Sequence, residues 1–338
     1  MVSRINVIND QIDKKQSKKQ MKNILIAILI FTNILLVSAQ SDKPKVPKGY
    51  WNMTTLKLAY VLGRLDLIEE DPNVPDELKL FHDLTYRIAD SDTLKLDICY
   101  PKKIKGLAPM LVFVYGEKWK HGNKDKYLGY LIEFAKKGYI TASMWYRTSG
   151  VATFPAAVDD VERAVEWLAA NADEYHIDTN NVALIGGSTG GHLALLSAYT
   201  YRTDKFSNNS GSKGVNYRIK AVVDLYAPVD LTDKEVIEDT GAEQFIGKPY
   251  DAAPELYKKA SPVNYVTVDD PPTLIFHGTI DDIVPIEQSE KLKSKLEAAG
   301  VPVEYHRMKG WPHFMEAGEK ANKYCQFYMT EFFKKYLK

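Results

Sequence analysis

The sequence predicts an α/β fold: a mainly parallel central sheet, helices on both faces, and an antiparallel hairpin at its N-terminal edge. Three observations carry this. From Met110 onward, short apolar runs alternate with longer stretches of helical period, as βα units do. Ahead of them, two segments alternate apolar and polar residues across a polar turn, which marks a hairpin. The 338 residues balance 44 Lys plus Arg against 44 Asp plus Glu and are 45% hydrophobic. Such a chain has the make-up of a globular domain and no global field that would attract nucleic acid.

The N-terminus reads as a leader. From Met21, "MKNILIAILIFTNILLVSAQ" sets a lysine before an apolar run, Ile24 to Val37, and then Val37-Ser38-Ala39. That is the order of a secretory signal peptide cleaved after Ala39, and the run is short for a membrane span. Residues 1–39 are therefore expected to be a leader with its start at Met21. Export to the periplasm or beyond follows, with no stable membrane insertion after cleavage. Residues 40–83 are expected to form a linker and partial cover. They hold a Lys/Pro stretch and then "TTLKLAYVLGRL", read as a short amphipathic helix capped by threonine. The apolar positions Leu56, Tyr60 and Leu67 lie in a stretch too short to bury a core of its own.

Residues 84–338 are expected to form one domain. "DLTYRIA" and "LKLDICY" flank Asp90-Ser91-Asp92 as the hairpin. The apolar runs Met110–Tyr115, Ile140–Tyr146, Val182–Ile185, Ala221–Tyr226, Thr273–His277 and Val303–Met308 are the expected strands. Helices are expected at Pro155–Glu174, His192–Tyr201, Ile286–Ala299 and Ala317–Tyr336; in the first, Val158, Val161, Val165 and Leu168 share a face. Thr203–Arg218 is polar and reads as a surface loop. Cys99 and Cys325 fall in a strand and a helix with no CxxC or Cys/His spacing, which predicts two buried free thiols and no zinc site.

In parallel sheets the chemistry lies at the carboxyl ends of the strands. There the chain reads Gly186-Gly187-Ser188-Thr189-Gly190-Gly191-His192. A Walker loop would need Gly-Lys-Ser/Thr, and a dinucleotide fingerprint would come earlier with GxGxxG spacing. Gly186 to Gly190 instead matches G-x-S-x-G between an apolar strand and a helix, the turn that holds out a serine nucleophile. The amide of Thr189, at the helix start, then points at a developing oxyanion. A serine needs a base, and the base needs a carboxylate. Past the strand Thr273–His277 comes Gly278-Thr279-Ile280-Asp281-Asp282; past Val303–Met308 comes Lys309-Gly310-Trp311-Pro312-His313. The order Ser, Asp, His fits.

From about Leu84 onward the chain resembles the α/β-hydrolase superfamily. It is most similar there to the esterases related to hormone-sensitive lipase and to the bacterial feruloyl/acetylxylan esterase-like group. "GGSTGGH", "FPAAVDDVERAVEWL", "ASPVNYV", "PPTLIFHGTIDDIVP" and "GWPH" carry the resemblance. It implies an α/β-hydrolase fold, Ser188 as nucleophile, Asp281 as orienting acid and His313 as base, with no metal or cofactor. Where the family has His-Gly-Gly-Gly-Trp, this sequence has Tyr115-Gly116-Glu117-Lys118-Trp119. By register, the amides of Glu117 and Lys118 join that of Thr189 as oxyanion donors. Left-handed backbone there would cost about 1 kcal/mol or more. The implied activity is hydrolysis of small-molecule or polysaccharide esters carrying short-chain, acetyl or feruloyl groups.

Competing roles are open at several positions. Asp282 competes with Asp281, though its side chain should point the other way. His192 and His277 read as packed, hydrogen-bonded histidines, and Asp224 and Asp230 as loop-fixing residues. Two further functions compete: a catalytically dead fold that binds carbohydrate, suggested by Glu117-Lys118, and a peptidase of the prolyl-oligopeptidase type. The large propeller usual in the latter has no room in this chain.

Overall fold

A computed structural model of the chain describes residues 43–89, 92–201, 203, 206 and 215–337. The leader with its Ala39 cleavage site, Asp90-Ser91 of the hairpin turn, and most of the Thr203–Arg218 loop lie outside the described residues. Val46–Lys338 forms one compact unit.

The alternating hairpin segments extend into β1 (Leu78–Ala89) and β2 (Asp92–Pro101). The apolar runs form β3 (Ala108–Val114), β4 (Ile140–Met144), β5 (Ile177–Gly187), β6 (Ile219–Leu225), β7 (Thr273–Gly278) and β8 (Val303–Met308). Together they make an eight-stranded sheet in the order β1-β2-β4-β3-β5-β6-β7-β8. The β1–β2 and β2–β4 pairs are antiparallel, and every other pair is parallel. β4 and β7 are buried at every residue, which requires cover on both faces and accounts for the lack of Lys, Arg, Asp and Glu in either.

Helix Leu128–Lys136, not among the expected helices, is the crossover that parallel pairing of β3 with β4 demands. Its Phe134 meets Phe333 of the C-terminal helix Glu319–Tyr336, ring centroids 5.5 Å apart. The proline-led helix spans Ala156–Ala170, and the helix after β5 spans Thr189–Thr200, beginning three residues earlier than its sequence pattern. Helix Glu287–Ala299 precedes β8. The short N-terminal helix is Met53–Val61, and its cap is Asn52 rather than a threonine. Asn52 accepts from the Thr55 amide while Thr55 Oγ1 accepts from the Asn52 amide; the reciprocal pair satisfies two otherwise orphaned amides. Cys99 and Cys325 are buried free thiols. Among the described residues, no helix is long and apolar enough to cross a membrane.

Candidate active site

The turn from β5 into helix Thr189–Thr200 is made by close backbone approach. A Cβ on Gly190 would stand 2.1 Å from the Val114 carbonyl oxygen, and one on Gly186 would stand 2.3 Å from the Gly190 carbonyl carbon. Only glycine admits that contact. Ser188, between them, takes φ 53° and ψ −129°, a conformation that costs an L-residue roughly 1–3 kcal/mol. Its amide donates to the Leu225 carbonyl at 2.8 Å and its carbonyl accepts from His192 at 3.1 Å, so both flanks of the strained residue are tied down.

His313 follows β8 and is buried. Its Nε2 accepts from Ser188 Oγ at 2.9 Å, and its Nδ1 donates to Asp281 Oδ2 at 2.7 Å. The sequence separates Ser188 from His313 by 125 positions, and the sheet brings them into contact. Asp281 Oδ1 accepts from the amides of Ile283 and Val284, each at 2.9 Å. Burial pushes the Asp281 carboxyl up, but hydrogen bonds from His277 and His313 outweigh it and hold the group well below the usual carboxylate range. Asp281 is therefore an ionised acceptor that fixes the His313 tautomer with a lone pair left on Nε2. Asp282 is exposed and takes no part in these contacts.

The loop after β3 carries the conformation its sequence disfavours. Glu117, Lys118 and Trp119 have φ of 141°, 58° and 55°. Trp119 anchors the loop: its ring is buried, stacks on Phe245 with centroids 4.5 Å apart, and donates from Nε1 to His192 Nδ1 at 3.3 Å. Thr189 Oγ1 accepts from both the Glu117 amide (3.1 Å) and the Trp119 amide (3.3 Å). This qualifies the expected oxyanion set, because the Glu117 amide already has an acceptor. Thr189 opens its helix, so its own amide is one that the helix leaves without an internal partner. Lys118 is exposed, whereas Glu117 is half-buried and ion-paired with Lys126.

The two packed histidines have defined partners. His192 is fully buried, and its Nε2 donates to the Ala260 carbonyl at 2.7 Å. Burial lowers its pKa to about 4. His277 is equally buried, bonded to Ser289 Oγ at 2.7 Å and to the Val284 carbonyl at 3.0 Å. Its Nε2 also lies 3.3 Å from Asp281 Oδ2, so it helps to hold that carboxylate. Asp224 Oδ1 accepts from the Ala227 amide, and Asp230 bonds Thr232 and Lys291, as loop-fixing residues would.

Three residues at the site have no signal in the sequence. Tyr226, at φ 50°, lays its ring on His313 with centroids 4.4 Å apart, and its hydroxyl donates to Glu316. Burial raises the Glu316 carboxyl against that hydrogen bond. Tyr127 accepts the Gly187 amide at 2.9 Å. Tyr115, Tyr127, Tyr130, Tyr226, Phe314, Glu316 and Leu67 border a cavity of about 700 Å³ beside Gly116 and Gly187. A nucleophile, a base and an orienting acid thus stand in hydrogen-bonded series next to a cavity lined by both aromatic and charged side chains, an arrangement capable of acyl transfer. Among the described residues, no group of three His, Cys, Asp or Glu could hold a metal ion.

Comparison with known proteins gives a consistent result. The BD-FAE family model matches residues 96–296, a span that includes Ser188 and Asp281. Esterase LipC of Mycobacterium tuberculosis is 32% identical over 198 residues, 56% of this chain and 49% of that protein. The isoprenylcysteine alpha-carbonyl methylesterase ICME of Arabidopsis thaliana is 27% identical over 243 residues, 66% of this chain and 54% of that protein. The chain spans about half the length of the curated relatives it matches. Among solved structures, a truncated carbohydrate esterase from gut microbiota superposes with a TM-score of 0.66 at 26% identity, covering 80% of this chain and 98% of that one.

Proposed function

The chain belongs to the BD-FAE family, an α/β-hydrolase esterase family, and on that premise we propose that it is an exported serine carboxylic-ester hydrolase. The single observation that carries this is the series Ser188–His313–Asp281, joined at 2.9 and 2.7 Å. Ser188 Oγ attacks the acyl carbon while its proton passes to His313 Nε2. The carbonyl oxygen becomes an oxyanion facing the amides of Thr189 and Lys118, the Glu117 amide being held by Thr189 Oγ1. His313 returns the proton to the departing alcohol, leaving an acyl-enzyme. Water, deprotonated by the same imidazole, adds to the acyl carbon and releases the acid and free Ser188. Asp281 stays ionised throughout and stabilises the imidazolium.

The substrates proposed are short-chain, acetyl or feruloyl esters, including those on polysaccharide. The rings of Tyr115, Tyr127, Tyr130, Tyr226 and Phe314 in the wall of the 700 Å³ cavity support a sugar or aryl group beside the ester, since such groups stack on aromatic side chains. The carbohydrate esterase among the structural neighbours supports the polysaccharide reading. The leader pattern from Met21 supports export to the periplasm or beyond. Incubation with an aryl acetate tests the activity: steady release of the phenol is expected. One observation favours a second reading, a dead fold that binds carbohydrate: the Glu117 amide is already bound to Thr189 Oγ1. Absence of turnover in an intact, folded sample would select it.

A further inference from the structure

A strap from Val46 to Ile68 crosses the loop that carries His313 and is tied to it at both ends. At one end Tyr50 N donates to the Gly310 carbonyl at 2.7 Å, and Trp311 Nε1 donates to the Pro47 carbonyl at 2.9 Å. At the other, Ile68 N donates to the Ala317 carbonyl and Glu319 N to the Asp66 carbonyl, each at 2.9 Å. Between these anchors lies helix Met53–Val61, in which no residue is buried. A helix with apolar residues on all sides belongs in a protein interior or against a partner, and here only Met53, Leu56 and Ala59 are half-covered by the body.

The outer face is unusual for a water-facing helix. Trp51 is 89% exposed, Val61 79%, and Leu58 and Leu62 56% each. At 3.6 residues per turn, Leu58, Val61 and Leu62 fall on one side of the helix end, and Trp51 precedes the helix, ahead of its extended cap Asn52. Exposure of this many large apolar residues in one segment marks an interaction surface, and the charges beside them point to the partner. Between Val46 and Leu65 the charged residues are Lys48, Lys57 and Arg64; the first acid is Asp66. Exposed apolar residues including a tryptophan, interspersed with bases and with no acid among them, are the make-up of a segment that settles on an anionic bilayer surface. Trp51 and Tyr60 are the residue types that settle at head-group depth. A second copy docked by two-fold symmetry would set these bases against each other. A sugar surface would use the aromatic rings but leave Leu58, Val61 and Leu62 in water.

We propose that the outer face of the strap docks reversibly on an anionic lipid surface. The helix then lies in the interface, and the cavity mouth, which Leu67 also lines, opens beside it. Docking of this kind is peripheral and needs no membrane span.

The test uses the full chain and vesicles of phosphatidylcholine with or without phosphatidylglycerol. The signal is the fluorescence of Trp51 alone, taken as the difference between wild type and Trp51→Phe, so that binding elsewhere on the chain does not contribute. A blue shift with anionic vesicles is expected, together with quenching by brominated lipid. Affinity should fall about tenfold when salt is raised or when phosphatidylglycerol is omitted. Leu58→Glu with Val61→Glu should abolish the shift in a chain that melts as wild type does. No shift with vesicles, or a shift that survives the double substitution, overturns the proposal. So does a Trp51 shift produced by soluble polysaccharide in place of vesicles, or one that appears only with self-association of the protein. The readout is binding, so a failure of the esterase reading leaves it interpretable.

Discussion

Thr189 Oγ1 accepts the amide of Glu117 at 3.1 Å, so the residue that follows Ser188 also holds the loop after β3. That loop keeps three consecutive residues at positive φ because Thr189 Oγ1 on one side and the buried Trp119 ring on the other over-determine it.

Changing Glu117 and Lys118 together to glycine should leave kcat within about tenfold, since no amide donor is removed and losing one costs roughly 10²–10³. Relief of roughly 1–2 kcal/mol of backbone strain per residue outweighs about 0.5–1 kcal/mol from the looser unfolded chain. The lost Glu117–Lys126 pair is worth at most about 1 kcal/mol. Stability should therefore hold or rise on thermal melting. A fall in kcat beyond about a hundredfold would mean that a charged side chain takes part in holding the oxyanion.

An organophosphonate probe should label Ser188, and Ser188→Ala should abolish the labelling. His313→Ala and Asp281→Asn should each cost about 10³-fold or more in kcat. Asp282→Asn, at an exposed position, should cost less than about threefold. Equal losses for the two aspartates would remove the role given to Asp281.

His192 carries a pH signature in stability. Its folded pKa of about 4 lies below its unfolded value of about 6.5, so the unfolded chain binds its proton first. The stabilisation is fully present above about pH 6.5 and is lost as pH falls toward the folded value, by roughly 2–3 kcal/mol at about pH 4.5. Asp224, raised by burial to about 7, acts in the opposite sense over an overlapping range. The wild-type profile therefore mixes the two, and the informative quantity is a difference. In urea titrations, His192→Gln should gain on wild type by that amount between about pH 7.5 and about pH 4.5. A constant gap across that range would contradict the buried neutral imidazole.

Gly310 tests whether the strap steadies His313. A Cβ there would stand 2.3 Å from the Tyr50 carbonyl oxygen, whereas one on Gly300, at nearly the same φ, would meet nothing within 4 Å. Gly310→Ala should lower kcat about tenfold by displacing the strap from the His313 loop. Gly300→Ala should lose only about 1 kcal/mol of stability, with kcat unchanged. Equal kinetics for the two variants would make the strap a cover without influence on the base.

By itself the sequence determined the α/β class, an antiparallel hairpin ahead of a mainly parallel sheet, and the chain order of Ser188, Asp281 and His313. All three rest on local physics: strand and helix periods are short-range, and a strand–turn–helix glycine pattern is a constraint within a few residues. Helix Leu128–Lys136 and the Asn52 cap are not legible in the sequence. The helix is implied by parallel pairing of β3 with β4, and the cap depends on which side chain reaches back to the backbone. Only the tertiary structure decided what surrounds His313. Tyr226, Glu316, His277 and the strap reach the site from β6, the post-β8 turn, β7 and the N-terminal segment, and no periodicity links them. Nor could the sequence show that Thr189 Oγ1 would take the Glu117 amide, because that contact joins residues 72 positions apart. Its geometry exists only once β3 and β5 are paired.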